Sequence, residues 1–318
     1  MLAAESDSGP ASQVLLASVA RRYYLSGQSK VQISADLGLS RFQVARLLER
    51  ARATGLVRIE IGGPGSIDLD TSSRLQEAFG LQHAVVVDVP GDATAALRSQ
   101  LGAAAAELLT EVVAPTDVLG VAWARAVSAM AAAVTKLPPV AVVQLTGSLS
   151  GSGIEDSAVE LVRSLSRVSG GPAHFFYAPM VLRDATTATA LRRQPELART
   201  IAMYDAVTKA VVGIGRWEPG GSTVYDAASP ADRRLMRDLD TCAESSGAFL
   251  SADGTVVHSA LTERLVSISA EQLRAIPEVI GVPYGVAKAP AVRAALRSGV
   301  VTSLVTHSSL ALALLDLA

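Results

Sequence analysis

Arg41, Phe42, Gln43 and Arg46 fall on the first turns of a segment with helical spacing, and their side chains are types that read base edges in DNA. An arginine can bond the O6 and N7 of a guanine together, a glutamine can do likewise with an adenine, and a phenyl ring can lie on a thymine methyl. Nearby stand Arg21, Arg22, Lys30, Arg50 and Arg52, whose charges suit phosphate oxygens. Such contacts position a protein on DNA without reading sequence. Between Gln13 and Arg58 eight basic residues meet only Asp36 and Glu49, a local net charge of +6 in a chain whose total is -2. The remainder is therefore acidic on balance, which suits a DNA-binding head on a body that DNA repels.

Other chemistries find less support. His83, His174, His258 and His307 lie far apart, and Cys242 is the only cysteine, so zinc spacing, cysteine clusters and intrachain disulfides are excluded. Gly147-Ser148-Leu149-Ser150-Gly151 lacks the G-x-S-x-G order of a nucleophile elbow, and Gly213-Ile214-Gly215 lacks the third glycine of a dinucleotide fingerprint. No cofactor is implied.

The base-reading set needs a frame to present it, and the sequence supplies one. Apolar residues at helical spacing predict a helix from Val14 to Leu25, ended by Gly27. A second helix fits Lys30 to Leu37 with Gly38 as its stop, and Ser40 caps a third that runs to about Thr54. Ile33, Leu37, Val44, Leu47 and Leu48 supply the core face, Ser34 is small where helices approach, and Leu39 plugs the corner. Gly38 at the sharp turn tolerates a positive φ. These spacings, with the local charge, favour a helix-turn-helix over a plain amphipathic hairpin.

Residues 1–12 read as a disordered leader, 13–61 as the helix-turn-helix domain, 62–66 (GGPGS) as a linker, and 67–318 as an effector-binding and oligomerisation domain. VRIEI (57–61) fits a short strand, so the head is a winged or plain helix-turn-helix. Beyond the linker, HAVVVDV, DVLGVAW, PVAVVQLT, HFFYAP, AVVGIG, VIGVPYG and VTSLVTH read as strands, several of them continuous apolar runs. Helical patterns such as AALRSQLGAAAAELLTEVV, DSAVELVRSLSRV and APAVRAALRSG separate them. This alternation predicts an α/β body with a doubly wound, mostly parallel, Rossmann-like sheet, whose ligands bind at the carboxyl ends of strands. The start MLAAESDSGP has neither the basic nor the apolar part of a signal peptide, and the apolar runs are too short for a membrane span. A cytoplasmic protein without a membrane partner is expected.

The head closely resembles the SorC family of sugar-responsive bacterial regulators, and the resemblance continues along the body. GVAWARAV (120–127), VVQLTGSLS (142–150), VVGIGRWEP (211–219) and the C-terminal PYGVAKAPAVRAALRSGVVTSLVTHSSLALALL resemble family segments in the family's order. The resemblance implies a homodimeric or homotetrameric repressor or activator of operator DNA. It also implies a body related to sugar-phosphate isomerases, with a sugar phosphate as usual effector. Carried over by position, the effector site comprises Trp123, Ala124, Arg125, Ala126, Thr146, Gly147, Ser148, Glu244 and Lys288. Glu244 stands where the family often has Asp and would accept bonds from sugar hydroxyls, and Lys288 offers a cation for phosphate or a sugar oxygen. Outside the resemblance Glu244 and Lys288 would read as a surface charge pair, and Trp123 as core rather than a stacking platform.

The chain departs from the family at several of these places. Ala122, Ala124 and Ala126 replace Ser, Gly and Thr, Tyr284 replaces a Gly, and His307 an Asp. Alanine donates no hydroxyl and hinders close backbone approach, although Arg125 offers a compensating phosphate ligand. A neutral sugar or polyol therefore stands beside a sugar phosphate as effector. The functional expectation is a DNA-binding regulator controlled by that effector. The competing expectation, an isomerase-like enzyme with an accessory head, lacks a paired acid/base motif in the body.

Overall fold

A computed structural model of the chain describes residues 9–57, 67–89, 95–149 and 158–318. The chain divides into two compact units, Met1–Gly62 and Gly63–Ala318.

The first unit is built on three helices, α1 (Pro10–Tyr24), α2 (Lys30–Leu37) and α3 (Arg41–Ala53). The first helix starts with Pro10 in its opening turn, where proline's fixed φ suits a helix, so Pro10–Ser12 are helical rather than part of a disordered leader. Capping boxes start both later helices: Ser29 pairs with Gln32 and Ser40 with Gln43, side chain and backbone reciprocally. Gly38 ends α2 at φ 66°, and the Ser34 hydroxyl donates to the Leu39 carbonyl across the turn. Val19, Ile33, Val44 and Leu48 form the core, with Leu39 and Leu47 packed against it. Leu16 and Ala20 of α1 close on Ala51 of α3. The strand expected at 57–61 and the linker at 62–66 lie almost wholly outside the described residues.

The second unit carries strands β1 (His83–Val87), β2 (Val118–Val121), β3 (Ala141–Gln144), β4 (Ala173–His174) and β5 (Lys209–Val212). β6 (Gly215–Arg216), β7 (Thr241–Ser245), β8 (Ala248–Ser251), β9 (Glu278–Gly281) and β10 (Ser303–His307) follow. Seven strands form one sheet in the order β1-β10-β9-β5-β2-β3-β4, and every pairing in it is parallel. Apolar clusters bury both its faces, one around Leu145, Val212 and Leu304, the other around Val121, Val211 and Ile280. The expected α/β sheet is present. From its centre the chain winds outward through β2, β3 and β4 on one side and through β5, β9 and β10 on the other.

Two expectations need correction. HFFYAP does not run as a full strand: only Ala173–His174 pair with β3. The Phe176 N–H goes instead to the Gln144 side chain at 3.2 Å, and Pro179 has no N–H to offer a ladder. AVVGIG is not one strand, because β5 stops at Val212 and Gly215 already belongs to a separate antiparallel sheet, β6-β7-β8. No helix among the described residues is long and apolar enough to cross a membrane.

Candidate functional site

In the head, α3 leaves Arg41, Phe42 and Arg46 exposed. Gln43, expected to read an adenine, has its amide oxygen on the Ser40 N–H at 2.8 Å. Bidentate base reading would use that same oxygen, so the residue's role in the free protein is to cap α3. Arg22, expected on phosphate, binds Asp36 at 2.9 Å and thereby holds α1 to α2. Lys30 lies 5.9 Å from the centre of the Tyr23 ring. Arg21 is exposed and Arg50 half-buried, each in the last turn of its helix.

In the body, the sheet changes winding direction between the adjacent strands β2 and β5, so the loops leaving their carboxyl ends diverge and open a crevice. A cleft of about 440 Å³ lies there, within the range of small-molecule sites. The β2 loop supplies Trp123, Ala124, Arg125 and Ala126, and the β3 end supplies Thr146 and Gly147. Gly213 makes room for the side chain of Ala124: a Cβ added at 213 would sit 2.6 Å from that of Ala124. The helix Arg125–Ala133 begins at Ala124, at the cleft's lining, with no side-chain cap on its first amides.

Glu244 and Lys288 enter from different elements. Glu244 lies on β7 opposite Gly215 and is 6% exposed. Its Oε2 accepts from Ser222 Oγ at 3.0 Å and its Oε1 from the Gly247 N–H at 2.9 Å. Burial nevertheless pushes its pKa above the usual carboxylate value. Lys288 ends the short 3-10 turn after β9, and its Nζ donates to the Ile214 carbonyl at 2.9 Å. Burial lowers its pKa to about 8, with Glu244 opposing and the charges of Arg125 and Arg216 adding to the drop. The two groups are therefore a desolvated pair in one cleft, not a surface charge pair. The Tyr284 ring stands between two cations, 5.3 Å from Lys288 Nζ and 5.9 Å from the Arg98 guanidinium.

Of the nine residues carried over, all but Ser148 line this cleft. Ser148 is drawn away by backbone pairing, its N–H on Ala178 O at 2.9 Å and its carbonyl taking the Met180 N–H at 2.8 Å. Trp123 packs against the core cluster and also lines the cleft. Arg98, Arg216, Ser222 and Asp226 also line the cleft and were missed. Arg216 directly follows the GIG segment and was findable, whereas nothing local marked Arg98 on its helix. Among the described residues no group of His, Cys, Asp and Glu could hold a metal ion.

Residues 65–316 match the family described as "Putative sugar-binding domain". The transcriptional regulator LsrR of Klebsiella pneumoniae is 30% identical over 312 residues, covering 97% of this chain and 94% of that protein. The chain belongs to the SorC family of transcriptional regulators. The transcriptional regulator YjhU of Escherichia coli is 28% identical over 300 residues, covering 91% of this chain and 90% of that one. The full-length sorbitol operon regulator SorC from Klebsiella pneumoniae shares the fold, with a TM-score of 0.73 at 24% identity over 95% of this chain and 98% of that one. This SorC-family chain is a regulator and not an enzyme.

Proposed function

We propose that this regulator binds operator DNA through α1–α3 as a homodimer or homotetramer, and that a phosphorylated sugar in the cleft controls the binding. The charge of the cleft carries the effector's class. Arg98, Arg125, Arg216 and Lys288 line it, against the carboxylates of Glu244 and Asp226, with Arg216 also paired to Glu218 at 2.6 Å. The uncapped start of the helix Arg125–Ala133 adds amides suited to phosphate, which helix N-termini favour. Ala122 and Ala126 remove side-chain hydroxyls, but those amides and Arg125 remain for an anion. Glu244 and Thr146 offer the acceptors and donors that sugar hydroxyls need, and Ser222, whose hydroxyl is taken up by Glu244 and two helix N–H groups, holds the Glu244 carboxylate in place. The SorC relative is a sorbitol operon regulator, which supports a sugar or polyol skeleton.

One head offers few contacts for a genomic site, and symmetric pairs of heads read paired half-sites, which supports the oligomer. The DNA target supports a cytoplasmic location. The effector acts by binding the DNA-competent and DNA-incompetent arrangements with different affinity.

Thermal unfolding with glucose, sorbitol and their 6-phosphates tests the reading, since a ligand at 100 times its Kd stabilises by about 2.7 kcal/mol. A phosphorylated compound is expected to raise the midpoint and change operator binding. Lys288→Ala and Glu244→Ala are expected to keep operator binding and lose both effects. Stabilisation by the unphosphorylated compounds alone would make the effector a neutral polyol, and unchanged effector binding in both variants would place the site elsewhere.

A further inference from the structure

The helix α3 sets one residue apart from every other task in the head. With about 3.6 residues per turn, a helix that buries Val44, Leu48 and Ala51 turns Phe42, Arg46 and Glu49 to the opposite side. Phe42 is 86% exposed, more than any other large apolar side chain among the described residues. Leaving a phenyl ring in water forgoes the stabilisation that burial brings. Among the described residues of the head nothing requires the ring there: the core is filled from the other face, and Ser40 and Gln43 perform the capping. Arg41 just before it and Arg46 one turn on are both exposed, so the helix start that carries the ring is basic. Glu49, one turn on, carries a charge that phosphates repel, and it ends the DNA-facing patch.

A surface of this kind fits a groove with anionic walls and an apolar group on its floor. The apolar group that base pairs expose in the major groove is the thymine C5 methyl. Gln43, the alternative reader of an A·T pair, would have to leave its capping box to contact adenine in bidentate fashion.

We propose that Phe42 is the residue that reads an A·T pair in the operator, by packing on the C5 methyl of a thymine in the major groove. This rests on the reading of the head as DNA-binding. The A·T pair is thus recognised from its thymine side through an apolar contact, not from its adenine side through Gln43. Because Phe42 touches no core residue, its loss alters specificity and leaves the fold intact.

The test uses the full-length protein to select binding duplexes from random-sequence DNA. Each thymine of the selected site is then replaced by deoxyuridine, which lacks only the C5 methyl. For the wild type, one thymine per half-site is expected to be sensitive, with affinity falling about three- to fivefold on its replacement. Phe42→Ala is expected to bind the thymine and uracil duplexes equally, and Phe42→Leu to keep part of the difference. The salt dependence should be the same for all three proteins, because phosphate contacts are untouched. A selected site in which no thymine is sensitive, or a uracil penalty undiminished in Phe42→Ala, overturns the proposal while leaving DNA recognition by the head standing. Failure of the wild type to select any sequence overturns that recognition as well.

Discussion

Two lysines show how their partners separate a structural role from a binding one. Lys209 gives its Nζ to a carboxylate, Glu278, at 2.7 Å. Lys288 gives its Nζ to a backbone carbonyl and lies in a cleft with Arg125 and Arg216. Burial lowers the Lys288 pKa to about 8 from 10.5, despite the neighbouring Glu244. In the unliganded protein its charge therefore costs stability below about pH 8, and the cost disappears as pH rises towards the unfolded value. Lys288→Met is accordingly expected to melt no lower than the wild type at pH 7 while losing the effector. An anionic effector favours the protonated amine, so its affinity should hold below about pH 7 and fall as pH rises through about 8. Calorimetric titration between about pH 6.5 and 9 checks this; affinity that follows only the effector's own ionisation would remove Lys288 from the anion's contacts. Lys288 and Glu244 were legible through the family resemblance. Their desolvation was not, because burial depends on elements far away in the chain.

Among the elements, the helix Arg125–Ala133 brings its N-terminus to the cleft because it packs closely on the helix Ala95–Val112. The contact point is Gly102, where an added Cβ would meet the Ala129 carbonyl carbon at 2.6 Å and the Met130 nitrogen at 2.8 Å. Backbone atoms cannot swing aside as a flexible side chain can. Gly102→Val should therefore cost about 1–3 kcal/mol through overpacking and shift the start of the helix Arg125–Ala133. Weaker effector binding together with a lower urea midpoint is the expected result. Effector affinity equal to wild type would mean that this helix start does not hold the ligand. The helix itself was visible from its apolar pattern, but its partner was not. The shortened β4 illustrates the same limit, since HFFYAP has strand composition and loses its ladder to the side chain of Gln144.

For the molecule as a whole, the amino ends of four neighbouring strands of the large sheet are tied by one carboxylate. Glu278 on β9 receives His83 of β1 at 2.7 Å, Ser303 of β10 at 2.6 Å and Lys209 of β5 at 2.7 Å. Burial raises its pKa, but the bonds from Lys209, Ser303 and His83 outweigh that and hold it below the usual value. A depressed carboxylate pKa stabilises the fold above the unfolded value and loses that contribution as pH falls through the folded one. Glu278→Gln leaves Lys209 without its counter-charge and should cost about 3 kcal/mol near neutrality. Urea midpoints at pH 7 and in acid check this: the variant should lose less stability on acidification than the wild type. The cleft lies at the opposite, carboxyl ends of the strands, so effector affinity should be unchanged. An equal acid response in both proteins would deny Glu278 this role.

Features decided by neighbours along the chain could be read without the fold. Lys30–Leu37 and the start of α3 were placed to the residue, because caps and the turn at Gly38 involve bonds within a few residues. Apolar runs marked the strands of the large sheet except β4, since burial on both faces leaves a local composition. Tertiary structure alone decided the strand order that sets the loops after β2, β3, β5 and β9 around one cleft. It also brought Arg98, Arg216 and Ser222 there, withdrew Ser148, and formed the sheet β6-β7-β8 from segments with no clear apolar alternation. Apart from the tight β7–β8 hairpin, these outcomes depend on contacts between segments far apart in sequence, which no local pattern encodes.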